Sequence, residues 1–266
     1  NMLDYIELKS LFQDLSIPTG KPVIIHASLK PFGYIQDGAD AILRALMDTF
    51  NTIVVPTFTY YSMVTPPNGP SNNGMIYDKP EIPNEMSITF TPNLRADPMM
   101  GILPEALRNH QQANRSSHPL LSFAGMNADG ILNTQLRDDP LAPIGALVER
   151  DGWVILINEN HTSNTSIHYA EKLAGRKQFI RWALVDDRTV ECRNYPGDSD
   201  GFGAIAPHLK DDTVRVELDK AFVEAMPIKR VIDVAVGLIK NDPLALLCER
   251  EDCLRCNAVR GIYAVG

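Results

Sequence analysis

The 266-residue sequence is poor in cysteine, has two tryptophans, and lacks any long uninterrupted apolar run. Four cysteines in a chain of this length do not make the disulfide framework on which small secreted domains depend. The longest apolar stretches are Trp153 to Ile157 and Val231 to Ile239, the second broken by Asp233. Both fall well short of the roughly 18 residues that cross a bilayer, so no membrane role is expected. Positive charge is also in deficit, with 25 Lys and Arg against 33 Asp and Glu, a formal net charge of −8. Duplex nucleic-acid binders normally show a basic face, and this balance argues against such a partner. Asn1 ahead of Met2 reads as a tag remnant. Asp4, Glu7 and Lys9 interrupt the apolar run that secretion would need, so the expected compartment is the cytoplasm.

What is present is a chain with 44% hydrophobic residues, enough for a sizeable core. Ile6, Leu8, Leu11, Phe12 and Leu15 mark an amphipathic helix that stops before Pro18. A strand at Val23 to Ile25, a helix carrying Ala39, Ile42, Leu43, Leu46, Met47 and Phe50, and a strand at Ile53 to Val55 make a β-loop-α-β unit with parallel strands. Residues 62–90, rich in Pro, Asn and Gly, read as a long functional loop. Helices are expected around 103–108 and 144–150, and strands near 121–125 and at 153–157. Phe179 to Val185 and Thr189 to Arg193 read as a hairpin turned at Asp186-Asp187-Arg188. Pro227 opens the last expected helix, which runs to Lys240. The fold class is mixed α/β: a partly parallel sheet with flanking helices and an antiparallel C-terminal portion. No flexible linker divides it, so residues 2–266 read as one composite domain.

Three stretches carry chemistry. The first, Asn160-His-Thr-Ser-Asn-Thr-Ser-Ile-His-Tyr-Ala-Glu-Lys172, follows the strand at 153–157, where α/β folds place ligands. His168 and Glu171 are three apart on a helix, so the carboxylate can hold the ring. A free imidazole titrates near 6.5, and a fixed partner leaves its other nitrogen free to act as a general base. In the plainer alternative His168 merely packs, Glu171 is solvated, and Asn164 and Thr165 cap the helix; spacing does not separate the two. The second stretch is Arg115-Ser-Ser-His-Pro119, where His118 before proline is biased to extended backbone. The third is the loop His26-Ala-Ser-Leu-Lys-Pro-Phe-Gly33, whose amides and Lys30 suit a phosphate although it lacks Walker or dinucleotide glycine spacing.

These strings, with Val55-Pro-Thr-Phe-Thr59 and Met100-Gly-Ile-Leu-Pro-Glu-Ala-Leu-Arg108 between them, occur in an order that resembles the aminoglycoside 3-N-acetyltransferase family over about residues 22–175. The resemblance implies a mixed α/β fold, direct acetyl transfer from acetyl-CoA to an amine, and no metal in the chemistry. It implies that His168 is the catalytic imidazole and Glu171 its acidic companion, and that His26, Ala27, Ser28, Leu29 and Lys30 with Ser117 and His118 form the coenzyme wall. Family members often carry an aspartate six residues before the histidine; here Thr162 stands there. Residues 62–90 fall where acceptor contacts are expected.

An acetyl transferase must take a proton from an ammonium while holding its nitrogen near the thioester carbonyl. The oxyanion then needs donors, and a hydroxyl of Ser163, Thr165 or Ser166 or a backbone amide is a candidate, with Thr165 placed in the catalytic set. An acidic chain suits a polycationic acceptor such as an aminoglycoside. A non-aminoglycoside amine, a non-catalytic coenzyme A binder, and a metal-dependent hydrolase with His161 and His168 as ligands are the alternatives. Near the C-terminus Cys248, Cys253 and Cys256 have the tightness of a zinc knuckle, completed by His208 or Cys192. Without a fourth ligand at a familiar spacing, three reduced, partly buried cysteines are the preferred reading. Homo-oligomerisation is left open.

Overall fold

β-Branched and other apolar residues fill Val23–Ala27 (β1), Ile53–Pro56 (β2) and Trp153–Ile157 (β6), and these three strands pair in parallel at the centre of a seven-stranded sheet. The computed structural model describes residues 3–80 and 83–264. In chain order the elements are α1 (Tyr5–Gln13), β1, α2 (Gly38–Thr49), β2, β3 (Met63–Val64), α3 (Ile102–Arg108), β4 (Ala113–Arg115), β5 (Phe123–Met126), α4 (Asp129–Leu132) and α5 (Ala142–Glu149). Then come β6, α6 (Ser166–Leu173), β7 (Phe179–Val185), β8 (Arg188–Tyr195), β9 (Val214–Leu218), β10 (Ala221–Pro227), α7 (Ile228–Asn241) and α8 (Leu254–Tyr263).

The large sheet runs β4-β5-β2-β1-β6-β10-β9. Antiparallel strands flank the parallel trio on both sides, β5 and β4 beyond β2, β10 and β9 beyond β6. The hairpin β7-β8 forms a second sheet with β3. The mixed, partly parallel fold class expected from sequence is therefore the observed one.

Successive residues on a strand point to opposite faces, and the core divides accordingly. Ile24, Val54, Val154 and Leu156 pack with α5, α6 and α7 on one face. Val23, Ile25, Val55, Ile155 and Ile157 pack with α1, α2 and α3 on the other. Helix α1 begins with a capping box, Asp4 accepting from the Glu7 amide while Glu7 reaches back to the Asp4 amide. It buries Leu8, Leu11 and Phe12; Ile6, expected on the apolar stripe, is 71% exposed because it lies outside the stripe that faces α2.

The expected elements occur with shifted ends, and the sequence reading omitted others. Helix α7 is not the last helix: α8 follows it, and the hairpin β9-β10 precedes it. Helix α8 reads Leu-Arg-Cys-Asn-Ala-Val-Arg-Gly-Ile-Tyr, with too few apolar residues and a glycine inside, so its periodicity is faint. Of the loop expected at 62–90, residues 81 and 82 lie outside the described residues, as do 2, 265 and 266 of the expected domain. The described part of that loop is mostly irregular, apart from β3 and a short 3-10 turn at Asn84–Met86. No helix among the described residues is long and apolar enough to cross a membrane.

Candidate active site

Because β1, β2 and β6 run parallel, the segments that leave their carboxyl ends share one edge of the sheet, the position at which open α/β sheets bind ligands. Ser28 to Lys30, Thr57 to Thr59 and Asn158 to His168 are those segments. After β6 the chain makes a 3-10 turn, His161–Ser163, capped by Asn160 through the Thr162 amide, and then enters α6. Asn164 accepts from the Ser166 amide at 3.2 Å, so Asn164 supplies the cap. Thr165 makes no side-chain cap bond and its hydroxyl is left for other use.

The i, i+3 spacing of His168 and Glu171 is realised as a hydrogen bond: His168 Nδ1 lies 2.8 Å from Glu171 Oε2. Glu171 is 1% exposed, so it is not a solvated helix residue. Its second oxygen accepts from Arg176 Nη1 at 2.9 Å, and Arg176 is itself buried. Arg176 Nη2 then donates to the carbonyls of Pro243 and Ala245, beyond the end of α7. Phe202 packs edge-on against the His168 ring, centroids 4.7 Å apart. With Nδ1 engaged, Nε2 is the nitrogen that remains without a hydrogen-bond partner among the described residues.

Sequence reasoning did not include Arg176, although a local signal existed. Gly175 has φ +81, its amide bonds the Lys172 carbonyl at 3.1 Å, and the Arg176 amide bonds the Glu171 carbonyl at 2.9 Å. This is a Schellman ending, in which a glycine turns the next residue back over the last helical turn. It brings Arg176 onto Glu171. Phe202 had no such signal, since it arrives from a segment distant in sequence.

The predicted coenzyme wall is placed unevenly. His26 and Ala27 do not lie in a loop; the buried strand continues through them, paired with Leu156 and Ile157. His26 faces the α6 side of the sheet by alternation with Ile25, and its Nε2 is buried without a partner. Burial pushes its imidazole down to about 3, so the ring is neutral. Ser28 and Leu29 are half-buried and Lys30 is exposed on a 3-10 turn. The Ser28 amide bonds the Ile157 carbonyl and its carbonyl accepts from Asn158, which fixes the start of this loop to β6.

Ser117 is exposed, but His118 is not the open extended residue expected. Its Nδ1 accepts from the amides of Leu120 and Leu121, and Nε2 lies 3.2 Å from the Arg137 carbonyl. Nδ1 closes the turn before β5, Nε2 ties that turn to the segment between α4 and α5, and burial lowers its pKa to about 4. The ring therefore has no nitrogen to offer a coenzyme.

The metal-ligand arrangement of a hydrolase is not built at this edge. Among the described residues the one cluster of potential ligands lies elsewhere and contains neither histidine. A shallow cleft of about 420 Å³, lined by Thr19, Lys21, Thr52, Asn127 and Arg150, opens at the opposite, amino edge of the strands and has no part in this site.

A partly parallel sheet with a carboxylate-anchored imidazole on the helix that follows β6 defines an α/β protein whose site can support general-base chemistry. The chain belongs to the aminoglycoside 3-N-acetyltransferase family, whose family model matches residues 24–240. It is 30% identical over 176 residues to the SPbeta prophage-derived aminoglycoside N(3')-acetyltransferase-like protein YokD of Bacillus subtilis, covering 59% of this chain and 60% of that protein. It is 23% identical over 263 residues to aminoglycoside N(3)-acetyltransferase IV of a Salmonella species, covering 94% of this chain and 92% of that one. Its fold matches the crystal structure of apo AAC(3)-IVa with a TM-score of 0.79 at 22% identity, over 98% of both chains. It also matches AAC-IIIb in binary complex with CoASH, with a TM-score of 0.73 at 21% identity, over 91% of this chain and 97% of that one.

Proposed function

We propose that this protein is an acetyl-CoA-dependent N-acetyltransferase that acts by direct transfer on an amine of an aminoglycoside-like polycation. The observation that carries the reading is the buried His168–Glu171–Arg176 line at the carboxyl edge of the parallel strands, inside a chain of this family. Glu171 accepts the Nδ1 proton and so fixes the tautomer; Nε2 is the base. The acceptor ammonium first loses a proton to solvent; the neutral amine then attacks the thioester carbonyl, its C–N bond forms, and the second proton passes to Nε2. As the tetrahedral intermediate collapses, the C–S bond breaks and the proton returns to the coenzyme A thiolate.

Within this reading Thr165 has the oxyanion-donor role, because its hydroxyl is free of capping and one turn ahead of His168. Ser28, Leu29 and Lys30 supply the coenzyme side: a cation and backbone amides suit its phosphates in a chain that is otherwise acidic. Two buried polar atoms that lack partners, His26 Nε2 and Ser166 Oγ, are the kind of group a substrate would satisfy. Ser117 remains a member of the wall, and His118 supports it only by shaping the turn. Four reduced, buried cysteines suit the cytoplasm, where we place the reaction.

Thiol release from acetyl-CoA, measured with a panel of aminoglycosides and simple polyamines, tests the proposal. Transfer to an aminoglycoside is expected, and His168→Gln is expected to slow it by about 10²- to 10⁴-fold with melting little changed. Tight coenzyme binding without transfer to any amine would remove the catalytic reading, and transfer confined to other amines would remove the acceptor.

A further inference from the structure

The cysteines near the C-terminus converge on one point. Cys253 is the N-cap of α8, Cys256 lies in its first turn, and Cys248 sits in the segment before it. All three are buried and pack on one another, with Leu247 against them, as a cluster separate from the main core. The carboxylate of Asp198, 8% exposed, joins them from the loop after β8. One ligand atom from each of the four residues lies within 4.8 Å of all the others. His208 and Cys192, the partners suggested by sequence, are elsewhere: His208 is exposed, and Cys192 belongs to the core packed around β8.

Hydrophobic packing explains three buried thiols but not why a buried carboxylate is placed among them, since thiols are weak hydrogen-bond partners whereas four such groups together suit a metal ion. Two guanidiniums surround the same point. Arg250 Nη2 is 3.2 Å and Arg255 Nη2 is 3.4 Å from Asp198 Oδ2. Three thiolates and a carboxylate around a divalent zinc ion carry a net charge of about −2, which two arginines balance. The donor set suits zinc, and bonds of about 2.3 Å to sulfur give a tetrahedron with edges of about 3.8 Å, within the spread observed here.

We propose that Asp198, Cys248, Cys253 and Cys256 form a structural zinc site, with Arg250 and Arg255 as its outer partners. Four protein ligands close the coordination shell, and a closed shell is the mark of a structural ion. The site ties together three segments around the candidate base. Gly197, beside Asp198, lies so near Glu171 that a Cβ there would stand 3.7 Å from both carboxylate oxygens, and Phe202 of the same segment packs on His168. Helix α8 in turn holds the 62–90 loop: Asn72 Nδ2 donates to the Ala258 carbonyl at 3.2 Å, and Gly74 lies against Arg255.

Metal content of the full-length protein, purified without chelator under reducing conditions, tests this site. About one zinc per chain is expected. Cobalt exchanged for it is expected to give a tetrahedral spectrum with thiolate charge-transfer bands, and chelation to lower the melting midpoint by at least about 5 °C. Cys256→Ser is expected to lose the stoichiometric metal, and Asp198→Asn to weaken it about 10-fold or more and to change the cobalt bands. Protein that is metal-free as purified and acquires no thiolate cobalt bands, or that contains a disulfide among the three cysteines, overturns the proposal. An Asp198→Asn variant with unchanged bands and affinity overturns the four-residue set.

Discussion

Replacing Glu171 by Gln separates the two jobs that its carboxylate performs. One oxygen receives His168 Nδ1 at 2.8 Å, the other Arg176 Nη1 at 2.9 Å, and the side chains of Glu171 and Arg176 are 1% and 3% exposed. Glutamine keeps the shape but removes the charge, leaving a guanidinium buried without its counter-ion. Breaking such a pair costs about 3–5 kcal/mol, which for a domain of this size lowers Tm by about 6–20 °C. The imidazole also loses its fixed tautomer, so kcat is expected to fall by about 10²-fold or more while KM for the amine holds. The double variant Glu171→Gln/Arg176→Met removes the orphaned charge as well. Its Tm is expected to recover most of the loss, because removing both charges of a buried pair is far milder than removing one, while kcat stays low. Differential scanning calorimetry and steady-state thiol release, run on the wild type and these variants, read the two effects separately. Recovery of kcat together with Tm in the double variant would refute the reasoning, since the carboxylate would then act on rate only through folding.

Two further outcomes follow from the charges described. Burial holds His26 down to about 3 and His118 to about 4, against an ordinary value near 6.5. Below pH 6.5 the unfolded chain binds protons that the fold refuses, so stability is full above that pH and falls as pH drops toward the folded pKa values. The two rings together cost about 4 kcal/mol between pH 7 and pH 5, and urea midpoints that stay flat across that range would contradict the burial argument. Because the chain carries a net charge of −8, kcat/KM for a polycationic acceptor is expected to decline as salt rises, whereas a salt-independent value would remove electrostatic steering.

Where a single local rule decided the outcome, the sequence was enough. The apolar run at 153–157 is the buried parallel strand β6, and the i, i+3 spacing on α6 is realised as the His168–Glu171 bond. His26 and Ala27, expected to open a loop, belong to β1: a strand end and a loop start look alike when both are apolar or neutral, and pairing with Leu156 and Ile157 decides it. His118 was misread for a related reason. The X-Pro rule constrains its backbone, but it says nothing about where the imidazole goes, and the ring turned inward to satisfy two amides that the bend before β5 would otherwise leave unpaired. Asp198 illustrates the limit more sharply: its position opposite three cysteines is fixed by how the loop after β8 meets the segment before α8, a long-range packing result with no spacing signature.

The same long-range packing explains why a helix as short as α6 can hold the His168 imidazole in register. Its two turns make few internal bonds, and short helices are marginal by themselves. The ring is restrained from outside the helix: Glu171 holds Nδ1, Phe202 covers one face, and Ile167 and Ala170 seat the helix on the sheet. Glu171 is in turn held by Arg176, which is secured by carbonyls at Pro243 and Ala245 in the segment leading from α7 to the cysteine cluster. A guanidinium on one carboxylate oxygen leaves the other available as a directed acceptor, so the pair fixes the imidazole through Nδ1. The C-terminal region therefore lies outside the central parallel strands and still restrains the imidazole proposed as the base.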